Sequence, residues 1–434
     1  MTPSGRRSTA APILVAVAAA IFAIVYVWLD FNALYALRTG QNTGLYLQSL
    51  VNFVHGVGTF DQPDGRPHLA VHDQWLALAL APAIAMWPNA KTLIVAQVAL
   101  LAAAAPLLYL FARTLKISAP NAACIAIAYL LAPSTQGWAY HPFVPEDALP
   151  LVAFGFAIAL AQRRFWLALA ACELLLGIKE DEALFLAWIG AFVAWRVDRR
   201  IGCAVVALAI VNLVAYYGLD RAFGYAPEHP AYGIADATVP QQLAFLAEIL
   251  APLAFAPLLL GWRVLLVLPF VAELFLAQDR TYPLYQAGSY YTIPLVTLAT
   301  LGAAVAIARR PALARWCLAC AALMALFFNT SVLHFGRHPF SRDPLYGVAL
   351  RIAGSALPED FPCDDAGAWT VAAADPNARL ACSGTANASV LDCAPEPARD
   401  PRPAWRDEPL GSHAAWTELR AGPCYSRPMR SKTK

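Results

Sequence analysis

Charge is what this sequence has least of. Only 14% of its 434 residues are Asp, Glu, Lys or Arg, against roughly 25% in a typical soluble domain. Residues 11–29, 92–112, 117–138, 201–219 and 281–308 contain none. Apolar stretches of about 20 residues are long enough to cross a hydrocarbon core as helices. A soluble domain buries one such helix but not this many, so a soluble globular fold is excluded. Other absences narrow the chemistry. There is no Gly-rich phosphate loop, no HExxH, no haem motif and no soluble nucleotide-binding domain, which argues against an ATP-driven or nucleotide-sugar enzyme on the cytoplasmic side. No basic stripe with interleaved aromatics occurs, so nucleic-acid binding has no support. The net charge of +2 says nothing about partners.

What is present is apolar: 59% of the residues are hydrophobic. The composition predicts an all-α polytopic membrane helical bundle whose first partner is the lipid bilayer. After Arg6 and Arg7, the 19-residue apolar run to Leu29 exceeds the apolar region of a signal peptide, and no small-residue cleavage site follows it. It reads as an uncleaved first span. Arg6/Arg7, Arg113/Lys116, Arg163/Arg164, Arg196/Arg199/Arg200, Arg263 and Arg309/Arg310/Arg315 form basic blocks that belong on one cytoplasmic face. Eleven crossings satisfy all of them: 11–29, 92–112, 117–138, 147–162, 165–179, 182–195, 201–219, 241–260, 263–278, 286–308 and 313–333. The stretch "WLALALAPAIAMWP" (75–88) then stays on one side, as a re-entrant or interfacial helix. It has only 14 residues and contains Pro82.

This arrangement puts the N-terminus in the cytoplasm of a plasma (inner) membrane protein and the tail outside. The domains are a membrane domain, 1–333, with a first outer loop at 30–74, and an irregular extracytoplasmic tail, 334–434. The tail holds twelve prolines, twelve Lys+Arg, twelve Asp+Glu and no long apolar run. Its four cysteines, Cys363, Cys382, Cys393 and Cys424, suggest disulfides, with three pairings open. Their spacing matches no zinc pattern.

Polar residues collect on the predicted outer side. In "LLLGIKEDEALFLAW" (174–188), Lys179, Glu180, Asp181 and Glu182 interrupt an apolar run, and ionisable groups at membrane depth are expensive. One reading is a solvated loop or a structural Lys–Glu pair. The other is a site for an anionic group, with Lys179 neutralising a phosphate and Glu180/Asp181 orienting a hydroxyl or holding a divalent cation. Glu173, seven residues before Glu180, would share its face on a continuous helix. In "HLAVHDQW" (68–75), Asp73 either caps the short helix or acts as a base beside the His72 imidazole. In "YHPFVPEDALP" (140–150), Glu146 and Asp147 suit a first helical turn, leaving His141 as the better functional candidate. In "DRTYPLYQAGSYYTIP" (279–294), an aromatic belt competes with a substrate-binding lip including Arg280 and Tyr285.

"NTGLYLQSLVNFVHG" (42–56), "HDQWLALALAPAIAMWP" (72–88), "VAQVALLAAAAPLLYLFAR" (95–113), "YHPFVPEDALPL" and "GIKEDEALFL" resemble blocks of a family of prokaryotic multi-pass proteins known as domain of unknown function 2079. "SYYTIPL" (289–295) weakly resembles a later block, so coverage runs roughly from 30 to 300, without the tail. The family is similar to C-type glycosyltransferases, which use polyprenyl-phosphate sugars in an outward-facing cavity. The resemblance therefore implies a C-type-like bundle and a glycosyltransferase. His72, His141, Lys179, Glu180 and Asp181 match its motifs. Asp73 would be the base, Lys179 and Arg280 phosphate ligands, Tyr285 part of the lip, and a divalent cation a conceivable cofactor. The chain departs from the pattern at Asn42 and Leu47, where the family usually carries Asp, and at Tyr290, where it carries His. Asp30 or Asp73 would have to supply the missing acid. A transporter for a polar or lipid-linked substrate and a catalytically inactive scaffold are the rival readings.

Overall fold

The computed structural model describes residues 10–35, 41–61, 66–222, 224, 238–276 and 287–327, and the strand residues 379–382, 389–392, 419–421 and 424–428. It is an assembly of apolar helices: α1 (Ala10–Tyr35), α2 (Gln41–Val54), α3 (Ala81–Met86), α4 (Ala90–Thr114), α5 (Ala119–Leu131), α6 (Pro133–Ala139) and α7 (Leu149–Ala161). There follow α8 (Phe165–Leu176), α9 (Glu182–Arg196), α10 (Arg199–Ala222), α11 (Val239–Leu250), α12 (Leu268–Leu276), α13 (Ile293–Arg309) and α14 (Leu313–Phe327). Among the described residues, five helical segments are long and apolar enough to cross a membrane: Ala10–Phe31, Ala90–Thr114, Arg199–Leu219, Ala256–Leu276 and Tyr290–Arg309. Shorter apolar helices stand at Ala119–Leu131, Phe165–Leu176, Val239–Leu253 and Leu313–Phe327.

Where expected spans are not single long helices, backbone chemistry explains the break. The stretch 117–138 divides at Ala132, which is extended, and Pro133 opens α6. Proline sits well in a first turn but poorly inside a helix. Between 251 and 267 the chain is 3-10 helix, interrupted at Ala254 and Phe255 (φ 49° and 54°) and again at Gly261 (φ 63°). The 75–88 segment forms a 3-10 turn, Trp75–Leu80, followed by α3. Together they rise about 21 Å, short of the ~30 Å hydrocarbon core.

Two compact units emerge: residues 1–25, 98–141 and 145–339 form one, and residues 26–97, 142–144 and 340–434 the other. In the second unit a small hairpin, β1 (Phe60–Asp61) with β2 (Arg66–Pro67), follows α2. The expectation of an all-α chain with an irregular tail needs correction. Strands β3 (Arg379–Cys382), β4 (Ser389–Asp392), β5 (Leu419–Ala421) and β6 (Cys424–Pro428) form an antiparallel sheet in the order β3-β4-β6-β5. Only Gly422 and Pro423 separate β5 from β6, a spacing that selects a hairpin. Cys382 closes β3 and Cys424 opens β6; Cys363 and Cys393 lie outside the described residues.

Candidate functional site

In the first unit, the turn 177–181 between α8 and α9 carries the Lys-Glu-Asp run. Helix α8 spans 12 residues and α9 15, about 18 and 22 Å, so the turn sits between two short legs. Gly177 ends α8, so Glu173 is not on a continuous helix with Glu180, and it is exposed. The expected shared face does not form.

Lys179 Nζ lies 2.8 Å from Asp181 Oδ2, with side chains 16% and 22% exposed. Burial opposes the Lys179 charge, and the carboxylates of Asp181, Glu180, Glu146 and Glu273 around it favour that charge. The Glu273 carboxyl also lies beside Asp181, which adds a further acid to the same turn. Packing explains how Glu273 arrives. Phe185 stacks on Phe270 with ring centroids 4.1 Å apart. Glu182 and Glu273 each stand three residues from one of these rings, so docking α9 on α12 turns both acids toward the same turn. Glu182 is 6% exposed. It interacts electrostatically with Glu273, Asp181, Glu146 and Lys179, and its carboxyl makes no hydrogen bond or ion pair among the described residues.

Two further segments complete the cluster. Gly137 in α6 lets that helix approach Gly288, since a Cβ there would stand 2.6 Å from the Gly288 Cα. The contact seats buried Trp138, whose Nε1 donates to Ser289 O at 3.1 Å and Thr292 Oγ1 at 3.2 Å. This docking sets the His141 ring 4.9 Å from Tyr290, edge to face. Tyr290 lies 4.1 Å from Tyr291, and Lys179 Nζ stands 5.4 Å over the Tyr291 ring. Rings and charges thus run continuously from His141 to Asp181. Glu146 and Asp147 stand in the first turn of the 3-10 helix Pro145–Ala148 that leads into α7, and both are buried, 5% and 0% exposed. Glu146 belongs to the charge cluster.

The structure brings His141, Lys179, Glu180 and Asp181 into one neighbourhood. Arg280 and Tyr285 lie outside the described residues. Glu273 and Glu182 were not singled out as site residues. A lone carboxylate in the apolar run 263–278 is a signal for the first. A divalent cation does not fit this arrangement, because the Lys179 ammonium already engages Asp181. Among the described residues no group of three His, Cys, Asp or Glu is placed to hold a metal ion.

His72 and Asp73 belong to the second unit, where the network centres on His68 instead. The N-cap position of the Trp75–Leu80 turn is Gln74, without a side-chain cap bond, so the expected Asp73 cap is not formed. Gln74 Oε1 accepts from Tyr46 OH at 2.6 Å and from His68 Nε2 at 2.9 Å. His68 Nδ1 lies 3.3 Å from Asp61 Oδ2, with exposures of 5% and 0%. Both ring nitrogens face an oxygen. Tyr46 packs edge-on to His68 at 4.8 Å, and His72 lies 5.9 Å beyond. Helix α2 holds this from one face: Ser49 Oγ donates to Thr59 O, Asn52 Nδ2 to Phe60 O, and Thr43 Oγ1 accepts from Phe143 N. Thr43, Tyr46, Ser49 and Asn52, every third residue, are the sequence signal for that stripe.

Residues 33–219 match the model of a family described as "Predicted membrane protein (DUF2079)". The match includes His141 and the Lys179–Glu182 turn, and it ends before Glu273 and Tyr290. No curated protein and no solved structure matches the chain.

Proposed function

We propose that this membrane protein, carrying a DUF2079 stretch, is a C-type-like glycosyltransferase that takes a sugar from a polyprenyl-phosphate donor at the outer face of the plasma membrane. One observation carries the reading. Three segments far apart in sequence converge on a cluster holding an ammonium, a buried carboxyl without a hydrogen bond among the described residues, and adjoining rings. Those are the parts glycosyl transfer needs. Glu182 removes the proton from the acceptor hydroxyl. The acceptor oxygen bonds to the sugar's anomeric carbon as the bond to the phosphate oxygen breaks, and the phosphate leaves with the electron pair. Lys179 exchanges Asp181 for that phosphate. The rings of His141, Tyr290 and Tyr291 offer a face to the sugar. Asp73, beside His72, is the alternative base; Arg280 and Tyr285 are further donor contacts, and the tail cysteines are disulfide staples of an outer segment. A cytoplasmic N-terminus follows from the basic blocks.

A second reading is transport, favoured by the gathering of Asp181, Glu182 and Glu273 around Lys179, since ionisable groups at membrane depth mark ion pathways. The deciding experiment measures polyprenyl-phosphate binding and sugar transfer for purified Lys179→Ala beside its thermal stability. The expected result is at least tenfold weaker donor binding with stability reduced by no more than about 2 kcal/mol. Unchanged donor binding with a large loss of stability would leave the cluster as architecture.

A further inference from the structure

The α9–α10 hairpin carries a groove that the Lys179 cluster does not use. A Cβ on Gly202 would stand 2.1 Å from the Ala194 backbone nitrogen, so the two helices touch backbone to backbone. On the outer side of that crossing a cavity of about 580 Å³ remains, lined among others by Ala194, Trp195, Arg199, Cys203, Ala207 and Ile210. Trp195 and Ile210, 64% and 53% exposed, form its walls. From Arg199 to Ile210 the groove follows α10 for about 16 Å, roughly half of a ~30 Å hydrocarbon core and so the depth of one leaflet.

Charge stands at one end only. Arg196 lies 3.6 Å over the Trp195 ring and 5.0 Å from that of Trp262, which Arg263 also approaches at 5.5 Å. Exposed tryptophans beside arginines are the signature of a membrane–water interface. Arg196 is engaged by rings, and Arg200 lies 4.3 Å over Phe165. Arg199, at the mouth of the groove, makes no hydrogen bond, ion pair or ring contact among the described residues.

We propose that this groove binds one anionic phospholipid, with its phosphate on Arg199 and one acyl chain lying along α10 as far as Ile210. Charge complementarity at the mouth selects an anionic headgroup. The apolar remainder, one leaflet long, selects a lipid over a soluble phosphate. The site is independent of the reading given to the Lys179 cluster. Exposed Cys203 reports on it directly. The full chain in detergent is alkylated with N-ethylmaleimide, and modification of Cys203 is followed by peptide mass spectrometry. Phosphatidylglycerol, phosphatidylcholine or inorganic phosphate is added in parallel. Phosphatidylglycerol is expected to slow the reaction at least fivefold relative to phosphatidylcholine. Arg199→Gln should remove that difference, and Arg199→Lys should keep most of it. The alkylation rate in phosphatidylcholine should be the same in all three proteins, which checks folding. Equal protection by both lipids, protection that survives Arg199→Gln, or protection by inorganic phosphate alone would each overturn the proposal.

Discussion

His68 and Lys179 are both bases held against an aspartate, at 3.3 Å and 2.8 Å, one in each compact unit. Their surroundings differ in what is left over. Around His68 the ring and the Tyr46 hydroxyl each meet an oxygen: Asp61 faces one ring nitrogen, Gln74 the other, and Gln74 also receives the Tyr46 hydroxyl. Around Lys179 there is a surplus. One ammonium serves Asp181, Glu180, Glu146 and Glu273, and Glu182 beside them makes no hydrogen bond among the described residues. A closed set of buried polar groups stabilises one arrangement. An open set costs stability in the free protein and is retained where chemistry needs it.

The comparison breaks first, if it is wrong, at Asp61. Asp61→Ala leaves the buried His68 Nδ1 without its partner, and losing a buried hydrogen bond to a charged group costs about 1.5–3 kcal/mol. Thermal unfolding in detergent should show the fall, and Asp61→Leu with His68→Phe should recover at least half of it. If Asp61→Ala unfolds like the parent protein, the network is not the brace described. Gln74→Ala comes next. It leaves the Tyr46 hydroxyl and one His68 N–H unmet inside the protein, worth about 1–3 kcal/mol. Donor binding at Lys179 should not change in either variant. A loss of binding without a loss of stability would move function into the His68 unit.

How much of this was legible in sequence depends on the cost of each residue in its place. Four ionisable groups inside "LLLGIKEDEALFLAW" stand out because charge at membrane depth needs a reason. His141 stands out because no helix start explains it. Glu273 is harder, since one acid in an apolar run reveals no partner, and its meeting with Asp181 depends on the Phe185–Phe270 stack between α9 and α12. Two histidines in "HLAVHDQW" present the same chemistry. What distinguishes His68 is the β1–β2 hairpin that supplies Asp61 and the α2 face that supplies Tyr46. No eight-residue string contains that information. The tail strands were hidden for another reason: runs of three to five residues are too short for periodicity to register.

The smallest effect on folding is expected where the effect on function is largest. Glu182 is buried, yet among the described residues its side chain forms no hydrogen bond that a substitution could remove. It faces the carboxyls of Glu273, Asp181 and Glu146 with only Lys179 to offset them, so in the free protein its charge is a burden. Glu182→Gln keeps the shape and removes the charge. Its stability should stay within about 0.5 kcal/mol of the parent, or rise. If Glu182 is the base, sugar transfer should fall by about 10²–10⁴ while donor binding holds, because general-base catalysis contributes on that scale. Single-turnover transfer and donor titration on the same sample separate the two quantities. A variant that transfers at the parent rate returns the role of base to Asp73. A variant that fails to bind donor makes Glu182 part of the phosphate site's geometry instead. If stability falls by several kcal/mol, the carboxyl has a partner in solution, and the contrast with the closed His68 network disappears.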